Sequence, residues 1–539
     1  MQVEGIHGVP MEPRTVINLV NEIKTNYEQK LNEMQARFEH QISKLKNDAI
    51  YYENKYIDMK ERYNLLIYKR FMRSAEQMPV DDRQQMLFTP EAQPLEAVEE
   101  EKTGKTEVKS YTRNKPGRKP IDSNIRREER IINIPEEEKK CACGADLTKI
   151  GEEVNEKLQI IPMQIYVDRI IRLKYACRNC EGTDDEDKPV VRIAPVPPSM
   201  IPRGIASPSV LSTIFTHKFE DHLPYYRQEK QFERIGVDIS RQDMSNWQQH
   251  VYKKLEPLFD LLKKTVKSGP VLQMDETTVQ VMGEEGREDT DKSYMWLARG
   301  GPPCNKVVWY EYHETRAGKH AKEFLEGYSG YLQTDGYSGY DTAVEGNKDI
   351  IHVGCFAHAR RKFFEASKVT KNCKSAEEGI KHIRKLYDLE NKLRSESLSE
   401  EEFVKKRETE AQPILEQFKS WLHKRESEIP ASNLMGTAIS YSLKQWDKMI
   451  AYLGSCHLTP DNNACENAIR PFVIGRKNWL MAGSPEGAKS SCGIYSLIET
   501  AKQNGLVPFN YLMALFEKAP LASSPDGWEK LLPWNIFSN

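Results

Sequence analysis

The segment Val271-Leu-Gln-Met-Asp275-Glu-Thr-Thr-Val-Gln-Val281 sets the architecture of this chain, because it predicts a β-strand with a carboxylate inside it. A second β-type run, Gly330-Tyr-Leu-Gln-Thr-Asp335, ends on another carboxylate. A third acid, Glu466, lies on a predicted helix with Thr459 as its N-cap and Pro460 at its first position, and Pro471 is expected to end or kink that helix. Burying a carboxylate is costly unless something pairs with it. Two strand carboxylates and a helical one can hold a pair of divalent cations on oxygen ligands.

The elements around these acids predict a ribonuclease H-like α/β core. The expected strands are 271–281, 293–299, 306–313, 330–335 and 350–354, with a helix at 318–327. In such a core the first and fourth strands are neighbours, so Asp275 and Asp335 would lie close together. Strand alternation places Glu276 on the opposite face, which makes it a weak substitute ligand. The core is assigned to 269–355 and 456–505, the strongly charged helical stretch 356–455 to an insertion, and 506–539 to a C-terminal element.

Residues 15–75 predict one long helix. Apolar side chains recur every seven residues in two series, which together we call the heptad seam: Leu31, Phe38, Leu45, Tyr52, Met59 and Leu66, with Ile42, Ala49, Tyr56 and Tyr63. This spacing is typical of a coiled coil that pairs with a second copy or a partner. A long helix packed on its own protein is the alternative.

Residues 76–131 are interpreted as a linker. Acidic residues come first, and a basic arm interrupted by Lys115-Pro-Gly-Arg-Lys-Pro120 follows. The arm is suited to phosphates or a minor groove, and a merely solvated linker fits equally well.

Residues 132–200 are interpreted as a zinc-binding module. Two close pairs, Cys141 with Cys143 and Cys177 with Cys180, supply four thiolates for a tetrahedral Zn²⁺ site. Alternating apolar residues between 157 and 177 predict strands, so the module resembles a small zinc ribbon. Buried free cysteines are the alternative.

Residues 201–268 predict helices that resemble a helix-turn-helix. Ser240 and Asp243 form a helix-start signal, and the following helix carries Arg241, Gln242, Asn246 and Gln248, which can bond phosphates or base edges. An ordinary helical hairpin is the alternative.

Basic residues near the acids are candidates for a DNA path: Arg361, Lys362, Arg470, Arg476 and Lys477. Cys355-Phe-Ala-His358 has metal-like spacing, but a helix start just beyond a strand explains it without a metal. Trp479 is expected to pack in the core rather than stack on a base.

Composition narrows the class of protein. The 539 residues are 39% hydrophobic and 29% charged with a net charge of −2, so nucleic-acid binding must come from local patches. No apolar run approaches the ~20 residues of a membrane span, and no signal peptide is expected. The ten cysteines are therefore expected to be reduced thiols in a cytosol.

Several longer strings resemble the transposases of the insertion sequence 66 family. They are Met274-Asp-Glu-Thr277, Thr334-Asp-Gly-Tyr-Ser-Gly-Tyr340, Gly354-Cys-Phe-Ala-His-Ala-Arg-Arg-Lys-Phe363, Asp461-Asn-Asn-Ala-Cys-Glu-Asn-Ala-Ile-Arg-Pro471, Gly475-Arg-Lys-Asn-Trp479 and Leu531-Leu-Pro-Trp-Asn535. The resemblance covers most of a multidomain α+β chain, in the family's order of domains. The Cys141-x-Cys143 pair is narrower than in many relatives.

The resemblance implies a bacterial, cytoplasmic, nucleoid-associated DDE transposase with Asp275, Asp335 and Glu466 as catalytic ligands of Mg²⁺ or Mn²⁺. It implies cleavage at element ends, joining of a 3′ hydroxyl to target DNA, and accessory proteins from the same element. A homo-oligomer through the coiled coil is expected, with no membrane partner. The alternative is a non-catalytic DNA-binding regulator built from the coiled coil and the zinc module, and a nuclease that cuts without joining is a third reading.

Overall fold

The structure is a computed structural model, and it describes residues 13–71, 127, 158, 163–176, 191–369 and 374–537. The chain divides into two compact units. One comprises residues 1–76 and 196–539, and the other comprises 77–195.

Helix α1 spans Pro13–Phe71, which confirms the predicted long helix. Its 59 residues contain no glycine, and their one proline is the first residue, where a proline is tolerated. Most of the heptad seam is exposed in the single chain, with Leu31, Leu45 and Leu66 each more than 60% exposed. At its C-terminal end the helix lies against the main body of its own unit, where the Glu61 carboxylate accepts a hydrogen bond from the Leu434 amide at 3.0 Å. Both readings of the helix therefore keep support.

In the 77–195 unit the described structure is a small antiparallel pair, β1 (Lys174–Ala176) with β2 (Val191–Ile193). Residues 163–173 have no regular secondary structure, so the prediction of strands through this part is wrong. Their apolar side chains, including Val167 and Ile171, are exposed, and a strand needs a sheet to pair with before alternation can stabilise it. The basic arm and the four predicted zinc ligands lie outside the described residues.

Four helices open the remaining part of the larger unit. They are α2 (Pro208–Phe219), α3 (Tyr225–Arg234), α4 (Arg241–Lys254) and α5 (Glu256–Val266). Ser240 and Asp243 form a reciprocal capping box at the start of α4, which confirms the predicted helix start. The Arg241 amide donates to the Glu229 carboxylate at 3.0 Å and ties the start of α4 to α3.

A mixed sheet follows, and the five predicted strands are confirmed with small changes in their ends. The elements are β3 (Val271–Val281), β4 (Lys292–Gly300), β5 (Val307–His313), α6 (Gly318–Phe324), β6 (Gly330–Gln333), α7 (Ser338–Val344) and β7 (Ile350–Val353). Strand order is β5-β4-β3-β6-β7. The first three strands are antiparallel, and β6 and β7 run parallel to β3. The predicted contact between the first and fourth core strands is confirmed.

The stretch between β7 and the helix of Glu466 is helical, as predicted. It contains α8 (Phe356–Val369), α9 (Lys374–Arg394), α10 (Glu400–Glu428), α11 (Leu434–Lys444) and α12 (Trp446–Ile450), followed by a 3₁₀ turn at Ala451–Gly454. Residues such as Phe363, Ile383 and Phe418 form a hydrophobic cluster of their own. The insertion is therefore stabilised by its own core rather than by the sheet alone.

The C-terminal part packs back on the sheet. Its elements are α13 (Asn463–Trp479), β8 (Met481–Ala482), α14 (Pro485–Gln503), α15 (Pro508–Lys518) and α16 (Pro525–Glu529). The N-cap of α13 is Asn462 rather than the expected Thr459, whose hydroxyl bonds the Asp461 carbonyl instead. The helix continues past Pro471 to Trp479, so the proline does not end it. Among the described residues, no helix is long and apolar enough to cross a membrane.

Candidate active site

Asp275 and Asp335 are placed side by side by the register of two parallel strands. Gln273 of β3 pairs with Gln333 of β6, and each aspartate lies two residues further along its chain. Asp275 is still inside β3, whereas Asp335 lies just beyond the end of β6. The Asp335 carboxylate accepts from the Tyr337 amide at 2.9 Å, which fixes the turn after the strand. The pairing of β3 with β6 therefore brings together two aspartates that are 60 residues apart in the sequence.

Glu466 reaches the same place because the start of α13 is hydrogen-bonded to both strands. The Gln333 side-chain amide donates to the Thr459 carbonyl at 2.8 Å. The Asn462 side-chain amide donates to the Met274 carbonyl at 3.0 Å, next to Asp275 in β3. Glu466 lies one helical turn beyond Asn462, so its carboxylate is held on the strand edge that carries the two aspartates.

Electrostatics show that the three carboxylates interact. The pKa of Asp275 is raised to about 8, first by burial, then by the negative charges of Glu276, Glu466 and Asp335. One hydrogen bond, from the Glu276 amide at 2.8 Å, opposes this effect. A carboxylate so disfavoured needs a compensating positive charge, and these oxygen donors match the preference of Mg²⁺ and Mn²⁺. The residues therefore fit a divalent metal site.

Glu276 is already occupied by other partners. Its side chain is 1% exposed and forms an ion pair with Arg316, whose Nε donates at 2.6 Å, and the Tyr340 hydroxyl also donates to it. The expectation that it points away from the acid cluster agrees with this pairing. The negative charge of Glu276 raises the pKa of Asp275, but both of its carboxylate oxygens already accept hydrogen bonds.

The start of α8 lies against Glu466. His358 Nδ1 is 3.8 Å from one Glu466 carboxylate oxygen, and an Arg361 guanidinium nitrogen is 3.4 Å from the other. Buried Cys355 has a different task, since its sulfur accepts the Asn462 backbone N–H at 3.3 Å. A helix does begin at Phe356, as the sequence predicted. Yet the ligand atoms of Cys355, His358 and Glu466 all lie within 4.8 Å of one another, which the sequence interpretation did not expect.

A polar chain behind the acids was missed in the sequence. The Gln273 amide donates to Gln333 at 2.8 Å, and Arg299 donates to Gln273 at 2.8 Å, so these bonds link β4, β3 and β6. Gln273 and Gln333 are both buried. The signal that could have found this support is a glutamine inside each of two predicted strands.

A family model described as "Transposase IS66 family" matches residues 203–490, which contain all three acids. The chain belongs to the IS66 transposase family. Three further models of IS66 transposase parts match elsewhere. They are "zinc-finger binding domain of transposase IS66" at 138–181, "IS66 C-terminal element" at 496–534 and "Transposase C of IS166 homeodomain" at 58–130. The chain thus has the domains of a transposase of an insertion sequence, including a zinc-finger domain.

Three proteins of Sinorhizobium fredii are similar to this IS66-family chain over most of their length. They carry the names uncharacterized protein y4hP, y4jD and y4qI. The chain is 32% identical to y4hP over 450 residues, which is 79% of this chain and 78% of that protein. It is 31% identical to y4jD, covering 75% and 79%, and 30% identical to y4qI, covering 82% and 83%.

Of the residues on α4 that were predicted to contact DNA in this IS66-family chain, some are exposed and one is buried. Arg241, Gln242 and Asn246 are exposed on α4, and the Gln242 amide donates to Asn246 at 3.0 Å. Gln248 is buried instead. Its carbonyl accepts from Lys218 and Tyr225, and its amide donates to Ser490 at 2.6 Å. The prediction that Gln248 is free to bond DNA is wrong, because α4 packs against α14 on this side.

Near the acids, Arg361, Arg470 and Lys477 are exposed. Lys362 lies over the Tyr441 ring at 4.9 Å, and half-buried Arg476 donates to the Thr277 and Thr278 hydroxyls of β3. Arg476 therefore ties α13 to the sheet. Trp479 packs edge-on against Phe472 with ring centroids 5.4 Å apart, so its predicted place in the core is confirmed.

Proposed function

We propose that this chain is a DDE-type DNA transposase whose active site is formed by Asp275, Asp335 and Glu466. The observation that carries the proposal is the placement of the three acids on β3, at the end of β6 and on α13, where their negative charges raise the pKa of Asp275. The reaction would free a 3′ hydroxyl at each element end and join it to target DNA.

The strand order supports a ribonuclease H-like core. Three antiparallel strands are followed by two strands parallel to the first, and β3 lies between the antiparallel and parallel halves of the sheet. Asp275 is therefore on a strand paired on both sides, which makes it the most rigidly held of the three acids. Asp275 would be the most firmly fixed of the three residues that hold the divalent cations, together with Asp335 and Glu466.

Two bound Mg²⁺ or Mn²⁺ ions would polarise the scissile phosphate and stabilise charge on the attacking and leaving oxygens. The chain's own residues would hold the geometry. Asp275, Asp335 and Glu466 supply oxygen ligands, while the Asn462 and Gln333 amides keep the helix of Glu466 against the strands. Arg361 and His358 lie beside Glu466, where a cation and an imidazole can contact phosphate oxygens.

DNA would be bound by several separate surfaces. The exposed residues Arg241, Gln242 and Asn246 of α4 are assigned to element-end DNA, and Arg361, Lys362, Arg470, Arg476 and Lys477 to DNA near the acids. Arg476 would act by holding α13 in place, given its bonds to β3. A zinc ion on Cys141, Cys143, Cys177 and Cys180 would fold the zinc-finger domain.

The chain would act as a homo-oligomer in the bacterial cytoplasm, at the nucleoid, with accessory proteins of the same element. The exposed heptad seam of α1 supports pairing with a second copy. Two copies would bring two element ends together before cleavage.

The test is a cleavage and strand-transfer assay on element-end DNA with Mg²⁺. Asp275→Ala and Glu466→Gln should abolish both cut and joined products while leaving DNA binding intact. Asp349→Asn is the matched control. Asp349 is exposed and lies next to the start of β6, away from the end of that strand where Asp335 lies. Unchanged activity of Asp275→Ala would refute the proposal. Binding without products in the wild type would favour a DNA-binding regulator, and cutting without joining would favour a nuclease.

A further inference from the structure

Glu400, Cys456 and His457 form a second group of side chains that can bind a metal, and they lie on different elements from the three acids. Glu400 is the first residue of α10, and Cys456 and His457 follow the 3₁₀ turn that ends at Gly454. Their ligand atoms all lie within 4.8 Å of one another. His457 Nε2 is 3.4 Å from a Glu400 carboxylate oxygen. Two segments more than fifty residues apart thus converge on one point.

The backbone that carries Cys456 and His457 is held from behind. Arg407 donates to the carbonyls of Tyr452 and Ser455, at 2.6 and 3.0 Å, and Arg394 donates to the Cys456 carbonyl at 3.2 Å. Both guanidinium groups are paired with Glu390, which offsets their positive charge. The loop is therefore fixed before any ligand arrives, and this reduces the entropy lost on binding.

The three side chains match the ligand types of one kind of ion. Zinc binds thiolate sulfur, imidazole nitrogen and carboxylate oxygen at about 2.0–2.3 Å, in a tetrahedron. Two ligand atoms on such a tetrahedron are about 3.3–3.7 Å apart by these bond lengths. The 3.4 Å between His457 and Glu400 already falls in this range. Mg²⁺ and Ca²⁺ prefer oxygen, so a cysteine and a histidine disfavour them.

We propose that Glu400, Cys456 and His457 form a Zn²⁺ site distinct from the zinc-finger domain and from the three acids. The fourth ligand would be water, because the cluster opens into a groove lined by Glu401, Lys405 and Glu408. Glu400 is exposed and can move toward the ion, whereas the loop is held by the hydrogen bonds from Arg394 and Arg407. The ion would clamp the chain segment that leads from the helical insertion into α13, nine residues before Glu466.

Zinc stoichiometry tests the site in the full-length protein. Samples are dialysed against buffered free Zn²⁺, and bound zinc is counted by mass spectrometry. Cys456→Ser and His457→Gln should each bind one zinc fewer per chain than the wild type. The matched controls Cys304→Ser and His423→Gln, which change a cysteine and a histidine outside the cluster, should bind as much as the wild type. The difference is independent of the zinc held by the zinc-finger domain and of any transposition activity.

A second measurement needs no variant and therefore does not depend on a variant's folding. Alkylation of each cysteine by iodoacetamide is followed by peptide mass spectrometry in the wild type, with and without Zn²⁺. Zinc should slow alkylation of Cys456 by about tenfold or more, because a metal-bound thiolate is withheld from the reagent, and exposed Cys304 should be unaffected. Equal zinc content in wild type and variants, or equal alkylation of Cys456 with and without zinc, would overturn the proposal.

Discussion

At the scale of single residues, the site combines a destabilised acid with well-bonded neighbours. Asp275 is disfavoured as a carboxylate by burial and by three nearby acids. Asn462, Gln333 and Gln273 are amides whose bonds hold the surrounding backbone. Clustering like charges lowers stability, and the bonded amides keep the cluster from relaxing.

Replacing Asp275 with an amide, which cannot ionise, should stabilise the metal-free protein. An unfolded aspartate ionises near pH ~3.9, whereas the folded pKa is raised to about 8. Between these values the folded chain keeps a proton that the unfolded chain releases, so the stability contribution of Asp275 falls as pH rises. Asp275→Asn should therefore raise the free energy of unfolding at pH 7.5, by at most about 5 kcal/mol. Thermal unfolding at pH 4 and pH 7.5 without Mg²⁺ or Mn²⁺ measures the gain, which should nearly vanish at pH 4.

Adding Mg²⁺ provides the control for that prediction. The ion should stabilise the wild type more than Asp275→Asn and so reduce the difference in melting temperature between the two proteins. Equal melting temperatures of the two proteins at pH 7.5 without metal would contradict the assigned electrostatics.

Asn462 should affect catalysis by positioning Glu466. Asn462→Ala removes the hydrogen bond to the Met274 carbonyl and should cost about 1–2 kcal/mol of stability. Strand transfer should fall by at least about tenfold, because small displacements of a ligand are costly to a reaction. Asn467→Ala, on an exposed face of the same helix, should leave both unchanged. If Asn462→Ala lost stability but kept full strand-transfer activity, Asn462 would not be needed to position Glu466.

At the scale of secondary-structure elements, α4 has two faces with different tasks. Its buried face carries Gln248, which connects α2, α3 and α14 by hydrogen bonds. Its exposed face carries Arg241, Gln242 and Asn246. A polar residue in a helix can thus serve the protein or a ligand, and only the neighbouring helices decide which.

The two faces of α4 predict opposite phenotypes. Gln248→Ala should lower the free energy of unfolding by about 1–3 kcal/mol, since Lys218 and Tyr225 lose a shared acceptor. Arg241→Ala should leave stability unchanged but weaken binding to element-end DNA and reduce its salt dependence. Melting curves and binding titrations at several salt concentrations measure both. Weaker DNA binding without loss of stability in Gln248→Ala would reverse the assignment.

At the scale of the whole molecule, α1 is the element proposed to connect one copy of the chain to another. Its C-terminal end contacts the helical insertion through Glu61, while its heptad seam remains exposed. An exposed apolar row along residues 31–66 is unfavourable in water, and pairing with a second α1 would bury it.

The seam predicts the oligomeric state. A double variant, Phe38→Glu with Leu45→Glu, should convert the oligomer to a monomer, because charges replace apolar side chains along the paired row. Asn47→Glu, off the seam on the same helix, should not change the assembly. Sedimentation or light scattering measures the mass, and an unchanged mass in the double variant would contradict pairing through α1.

The sequence by itself determined the long helix, the strands, the helical insertion and the three acids. These features depend on local periodicity, on the absence of helix breakers and on which side chains can hold a cation. Tertiary structure decided which polar side chains are free to bind DNA or metal and which are paired within the protein. Gln248 became a buried connector, Glu276 was paired with Arg316, and His358 came next to Glu466. Strands failed to form at 163–173 despite their alternation. Each of these outcomes depends on contacts between segments distant in the chain, which local patterns do not specify.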